Sequence, residues 1–191
     1  MGKLWSYAVD TLVDPVQVFR KVREEPAVVW SILVVCVVSL ASFSIEPPWG
    51  AEPFAFTLGR ATGQIVAELI YFLIYVALVH GAARLLGARG SFAAIFTAFG
   101  FAALPMLVNV PVYLLLESVR AAGAAQIGLY AFVIWSFVLS VLAVREVYEV
   151  STGKAVGVIA LAVLGPVAVI VLLMVVLGIS LAGLLSSVAG M

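Results

Sequence analysis

Charged residues occur along this chain in short bursts, and long apolar runs separate them. Between Glu25 and Glu46 lie twenty residues without a charge. Further apolar runs follow, one broken only by Glu68. None alternates apolar with polar positions, as a membrane β-strand does. In lipid a helix satisfies its own backbone hydrogen bonds, and about 20 residues at about 1.5 Å each cross a hydrocarbon core of about 30 Å. The pattern therefore predicts membrane-spanning helices near 26–45, 61–83, 91–116, 121–144 and 155–185. The last run, 155–191, carries no charge over 37 residues. Its only breaker pair is Gly165-Pro166, and two half-length spans would each be marginal, so it reads as one kinked helix. The expected fold is all-α, a single polytopic membrane domain over residues 1–191 with five transmembrane helices.

Ahead of the first span the period changes. Asp14-Pro15 reads as an N-cap followed by proline at the first helical position, and Pro26 closes the segment. On a wheel at 100° per residue, Val16, Val18, Phe19 and Val22 share one half. Arg20, Lys21, Glu24 and Glu25 share the other, with Arg23 at the boundary. Residues 15–25 are therefore expected to form an amphipathic interfacial helix, with Phe19, Arg20, Lys21 and Arg23 as membrane-interface contacts. Leu4, Trp5, Tyr7, Leu12 and Val13 add apolar and aromatic surface upstream. A compatible reading is a short cap packed across the mouth of the bundle.

Composition confirms the membrane class and narrows the chemistry. The chain is 65% hydrophobic and 10% charged, with no net charge. It lacks the polar surface of an ordinary soluble enzyme and the basic excess that nucleic acid requires. One cysteine, Cys36, excludes a disulfide framework and a cysteine-based zinc site. The ten basic residues are unevenly distributed. Lys3, Arg20, Lys21, Arg23, Arg84, Arg89, Arg145 and Lys154 fall on one side of the five-span topology, and Arg60 and Arg120 on the other. The positive-inside rule then places the chain in a cell membrane with its N-terminus cytoplasmic and its C-terminus outside.

Polar side chains within the spans are the candidates for chemistry. Glu68 is the costliest, because a carboxyl near mid-bilayer costs a few kcal/mol. It is expected to face the bundle, with Gln64 and Tyr71 on the same helix face. Asn109, flanked by Pro105 and Pro111, falls at similar depth on the third span. A Glu68–Asn109 hydrogen bond is the structural expectation; a polar intramembrane site formed by Glu68, Asn109, Gln64 and Tyr71 is the functional one. His80 reads as an interfacial or packed residue. Small residues recur at four-residue spacing (Gly59, Gly63, Ala67; Ala94, Ala98, Ala102; Gly178, Ala182, Ser186), which suits close packing within the chain or a homo-oligomer. No HExxH, GxSxG or phosphate-loop motif is present: Tyr148 and Ala155 stand where a phosphate loop needs glycine and a hydroxyl. No catalytic residue, cofactor or metal site is therefore assigned.

Several segments, taken in order, resemble one family. Asp14-Pro15 with Phe19-Arg20-Lys21-Val22-Arg23-Glu24-Glu25-Pro26 is similar to the opening of prokaryotic members of the Yip-one family (Ypt/Rab-interacting membrane proteins). Phe99-Gly100-Phe101-Ala102-Ala103-Leu104-Pro105 resembles its third-span pattern. Trp135, Val144-Arg145-Glu146-Val147-Tyr148 and Ser151-Thr152-Gly153-Lys154-Ala155 resemble its fourth-span exit. The resemblance implies a five-helix membrane domain without known catalysis. Eukaryotic relatives act in membrane traffic and engage small GTPases; their acidic-Leu-aromatic-Gly-Pro segment has no counterpart here, so the resemblance carries the fold and not that partner. The expected function is a non-enzymatic membrane-organising or partner-binding module, in contact with the bilayer and with a protein at the cytoplasmic face. The alternative is a small transporter, channel or lipid-moving protein using Glu68 and Asn109.

Overall fold

The computed structural model describes the backbone of residues 2–43 and 54–189 and the side chains of 7–43 and 57–177. Positions 44–45 of the first expected span lie outside it, as do the side chains of Leu4, Trp5, Gly178, Ala182 and Ser186. Among the described residues there are eight helices and no strand. They are α1 (Gly2–Val13), α2 (Pro15–Glu24), α3 (Val28–Phe43), α4 (Phe54–Leu85), α5 (Phe92–Ala102), α6 (Leu104–Ser118), α7 (Ala122–Tyr148) and α8 (Thr152–Ala189). Four stretches are long and apolar enough to cross a membrane: Thr57–Leu85, Phe92–Ser118, Ala122–Tyr148 and Thr152–Leu177. Val28–Phe43 is a shorter apolar helix. The protein is an all-α polytopic membrane protein.

Local chemistry sets the helix ends. Asp14 caps α2 by accepting a hydrogen bond from the Gln17 backbone N–H at 3.3 Å, with Pro15 just inside. α4 ends in a Schellman motif: Ala88 N–H bonds Ala83 O and Gly87 N–H bonds Arg84 O, with Gly87 at φ 73°. The third apolar run is divided at Ala103. Pro105 has no N–H to give to the Phe101 carbonyl, and the Ala103 N–H turns back to the Gly100 carbonyl at 3.3 Å. Pro111 and Pro166 remain inside α6 and α8 respectively.

Packing is concentrated at the α2 end of the bundle. α2 contributes Val18, Phe19 and Val22; α4 contributes Phe72, Val76 and Val79; α5 contributes Ile95, Phe99 and Phe101; α7 and α8 contribute Val144, Val147 and Val158. α3 and α5 cross closely where Gly100 meets Ser31, whose hydroxyl donates to the Phe96 carbonyl at 3.0 Å. Ala94, Ala98 and Ala102 are buried on α5, whereas Gly59, Gly63 and Ala67 face outward on α4. Beyond Leu161, α8 turns most of its apolar side chains outward through Leu177.

Candidate functional site

The N-terminal helices fold back onto the bundle. α1 lays Tyr7 against Phe101, with ring centroids 5.7 Å apart, and buries Thr11, whose hydroxyl donates to the Tyr7 carbonyl. α2 presses its apolar stripe onto α5 and the end of α7. Phe19 is therefore a core residue with no exposed surface, not a membrane-interface contact. The apolar stripe of a ten-residue helix needs an apolar partner, and the mouth of the bundle supplies one. Of the two readings of this segment, the cap across the bundle mouth describes its packing.

That docking brings charges from the two ends of the sequence together. Arg20 Nε donates to Glu146 Oε2 at 2.8 Å, and Arg145 holds the other oxygen with Nε at 2.8 Å and Nη2 at 2.6 Å. Arg23 pairs with Glu149 at 2.5 Å and lies 3.4 Å from the Glu146 carbonyl. The Glu146 side chain is only 9% exposed, while Arg20 is 59% exposed. Hydrogen bonding to Glu146, then its charge, raises the Arg20 pKa above its ordinary value. Arg20, Arg23, Arg145, Glu146, Glu149 and Val150 line an open polar cleft of about 510 Å³. Lys21 stays exposed beside it.

The last turn of α7 is held on other sides too. The Tyr148 hydroxyl lies 2.7 Å from His80 Nδ1, and the His80 ring meets the Phe92 edge-on. Gly90 lies so close to Tyr148 that an added Cβ would stand 2.6 Å from its ring. His80 is thus a packed histidine with a hydroxyl partner. Among the described residues, no group of three or more His, Cys, Asp or Glu converges as metal ligands.

The polar intramembrane residues are not brought together. Asn109 is buried in α6, and its Oδ1 has no hydrogen-bond partner among the described residues. Glu68 and Tyr71 are exposed on α4, so the expectation that Glu68 faces the bundle and bonds Asn109 is corrected. The inner face of α4 is apolar, built from Phe72, Val76, Val79, Ala82 and Ala83. After the break at Ala103, α6 packs chiefly on α7 and α3, whereas α4 packs on α8, α3 and α5. Gln64 is half-buried one turn from Glu68.

Glu146 and Glu149 were not among the candidate site residues assigned from the sequence. A signal was available: two acidic residues lie one turn apart in a basic context, beyond an uncharged span, and α2 carries Arg20 and Arg23 at matching separation. The two segments that meet in this clasp, Phe19–Pro26 and Val144–Tyr148, are among those that carried the family resemblance. A family model described as the Yip1 domain matches residues 9–177. The chain belongs to the Yip1 family. Comparisons with curated proteins and with solved structures found no match. The Yip1 domain thus takes in both halves of the clasp, Arg20 and Arg23 on one side and Glu146 and Glu149 on the other.

Proposed function

We propose that this Yip1-family protein is a non-enzymatic membrane module that presents the α2–α7 face to the cytoplasm as a docking surface for a protein partner. The observation that carries this is the clasp: Glu146, nearly buried, holds both Arg20 and Arg145, while Arg23 reaches Glu149. Such pairs fix the helix rather than leave it sliding in the headgroup layer. Lys21, Glu24 and Glu25 then point outward in one arrangement, and charged groups in fixed arrangement give specificity to protein association. The positive bias of this end agrees with a cytoplasmic face.

A photo-crosslinking side chain at Lys21, in native membranes, tests the reading. The expected result is one discrete protein adduct that weakens when Glu146→Arg sets a fourth cation among the arginines. The same probe at outward-facing Leu172 should be unaffected by that substitution. Adducts at Lys21 to lipid alone would sink the proposal and leave α2 as a membrane-contact helix.

A further inference from the structure

Glu68 is a physical anomaly. The span Thr57–Leu85 is centred on Tyr71, so Glu68 lies one helical turn, about 5 Å, from its midpoint. It is exposed there, and among the described residues it has neither a hydrogen bond nor an ion pair. The basic residues of its own helix, Arg60 and Arg84, lie about 12 Å and about 24 Å along the axis. A carboxyl exposed at this depth costs a few kcal/mol unless something from outside the chain meets it.

Its neighbours indicate what that is. Tyr71 and Tyr75 follow at i+3 and i+7, on the same flank of the helix. Their rings stack with centroids 6.3 Å apart and planes 4° from parallel. Tyr75 is braced from below by Phe99, edge-on at 5.6 Å, so the aromatic platform is fixed to the core. Tyr71 keeps 65% of its surface exposed. A carboxylate beside two π faces is complementary to a soft, weakly hydrated cation. Among the described residues Glu68 belongs to no group of three or more His, Cys, Asp or Glu, so a divalent metal finds no such ligand set there. An anion is repelled, and an acyl chain leaves the carboxyl unmet. Because α6 packs on α7 and α3 rather than chiefly on α4, this flank opens sideways to the bilayer.

We propose that Glu68, Tyr71 and Tyr75 form a binding site for a lipophilic organic cation, a quaternary ammonium or phosphonium on an apolar body, which enters laterally from the membrane. Glu68 supplies the counter-charge and the tyrosine pair receives the cation's apolar groups. This goes beyond the docking role of the α2–α7 face, and its test does not depend on that role.

The probe is tetraphenylphosphonium, titrated against the full chain in zwitterionic nanodiscs, with empty nanodiscs subtracted. Saturable binding of one cation per chain is expected. Glu68→Gln should weaken it at least about tenfold, the equivalent of about 1.4 kcal/mol. Tyr71→Ala should weaken it about fivefold through the lost ring face, whereas Tyr71→Phe should bind like wild type. Thermal melting reports whether each variant is folded; if Glu68→Gln does not fold, Tyr71→Ala against Tyr71→Phe decides the matter. Absence of saturable binding, or equal binding by folded Glu68→Gln, overturns the proposal. So does a wild-type dimer that Glu68→Gln dissociates without any phosphonium binding, because a second copy would then be what meets Glu68.

Discussion

Gly100 shows how narrow the tolerances are where two helices touch. An added Cβ would lie 1.9 Å from Ser31 Oγ and 3.1 Å from Ser31 Cα, so α3 itself must move to admit it. Gly100→Ala should therefore destabilise the fold by about 1–3 kcal/mol, the usual cost of overpacking. Ser31→Gly alone gives up the hydrogen bond to Phe96, about 1 kcal/mol. Combined, the two changes should cost less than their sum, because the second vacates the space the first needs. Unfolding in detergent micelles measures all three variants, and strictly additive losses would disprove the contact argument. Small residues in the sequence suggested close packing somewhere, and Ala94, Ala98 and Ala102 do pack inward. Nothing in the sequence marked Gly100 as the tightest point, because that depends on where a neighbouring helix crosses.

At the scale of elements, the clearest signs were those written in local chemistry. Asp14-Pro15 does open a helix, because cap and proline act within one turn. The break at Ala103 follows from Pro105 for the same reason. The direction Glu68 faces was not legible, since it depends on how α4 is rotated against α3, α5 and α8. The clasp was equally hidden, because Arg20 and Glu146 are 126 positions apart. Glu149 adds a twist to it. It sits at the left-handed position that ends α7, φ 52°, where glycine is favoured. Glu149→Gly should relieve roughly 1 kcal/mol of backbone strain while losing an exposed ion pair worth about 0.2–1 kcal/mol. Global stability should thus hold or rise. Glu146→Gln removes the charge that two arginines share, and hydrogen bonds to charged groups contribute about 1.5–3 kcal/mol. Amide exchange in Val16–Glu24 should therefore speed up about tenfold or more in Glu146→Gln and much less in Glu149→Gly. Similar exchange in both would mean that apolar packing alone holds α2.

Across the whole molecule, the gaps between charges foretold the class of fold well, because lipid penalises every unpaired charge and backbone group alike. Four long apolar helices and the shorter Val28–Phe43 bear this out. Side-to-side orientation is carried by the basic residues alone, eight against two. With the first apolar run counted as a span, a reporter fused to the C-terminus should read as non-cytoplasmic and one at the N-terminus as cytoplasmic. Like readings at both ends would show that the chain crosses an even number of times.

The unbroken course of α8 bears on the bilayer itself. Its backbone stays helical from Thr152 to Ala189, 38 residues or about 57 Å, against a hydrocarbon slab of about 30 Å. Even the stretch Thr152–Leu177, 26 residues or about 39 Å, exceeds that thickness. The helix cannot stand upright with all its apolar surface in lipid of ordinary thickness. The surplus has to be absorbed by steep tilt, by emergence into the headgroup layer or by locally thickened lipid. Each of these ties the tilt of α8 and the depth of its two ends to the thickness of the bilayer that surrounds it.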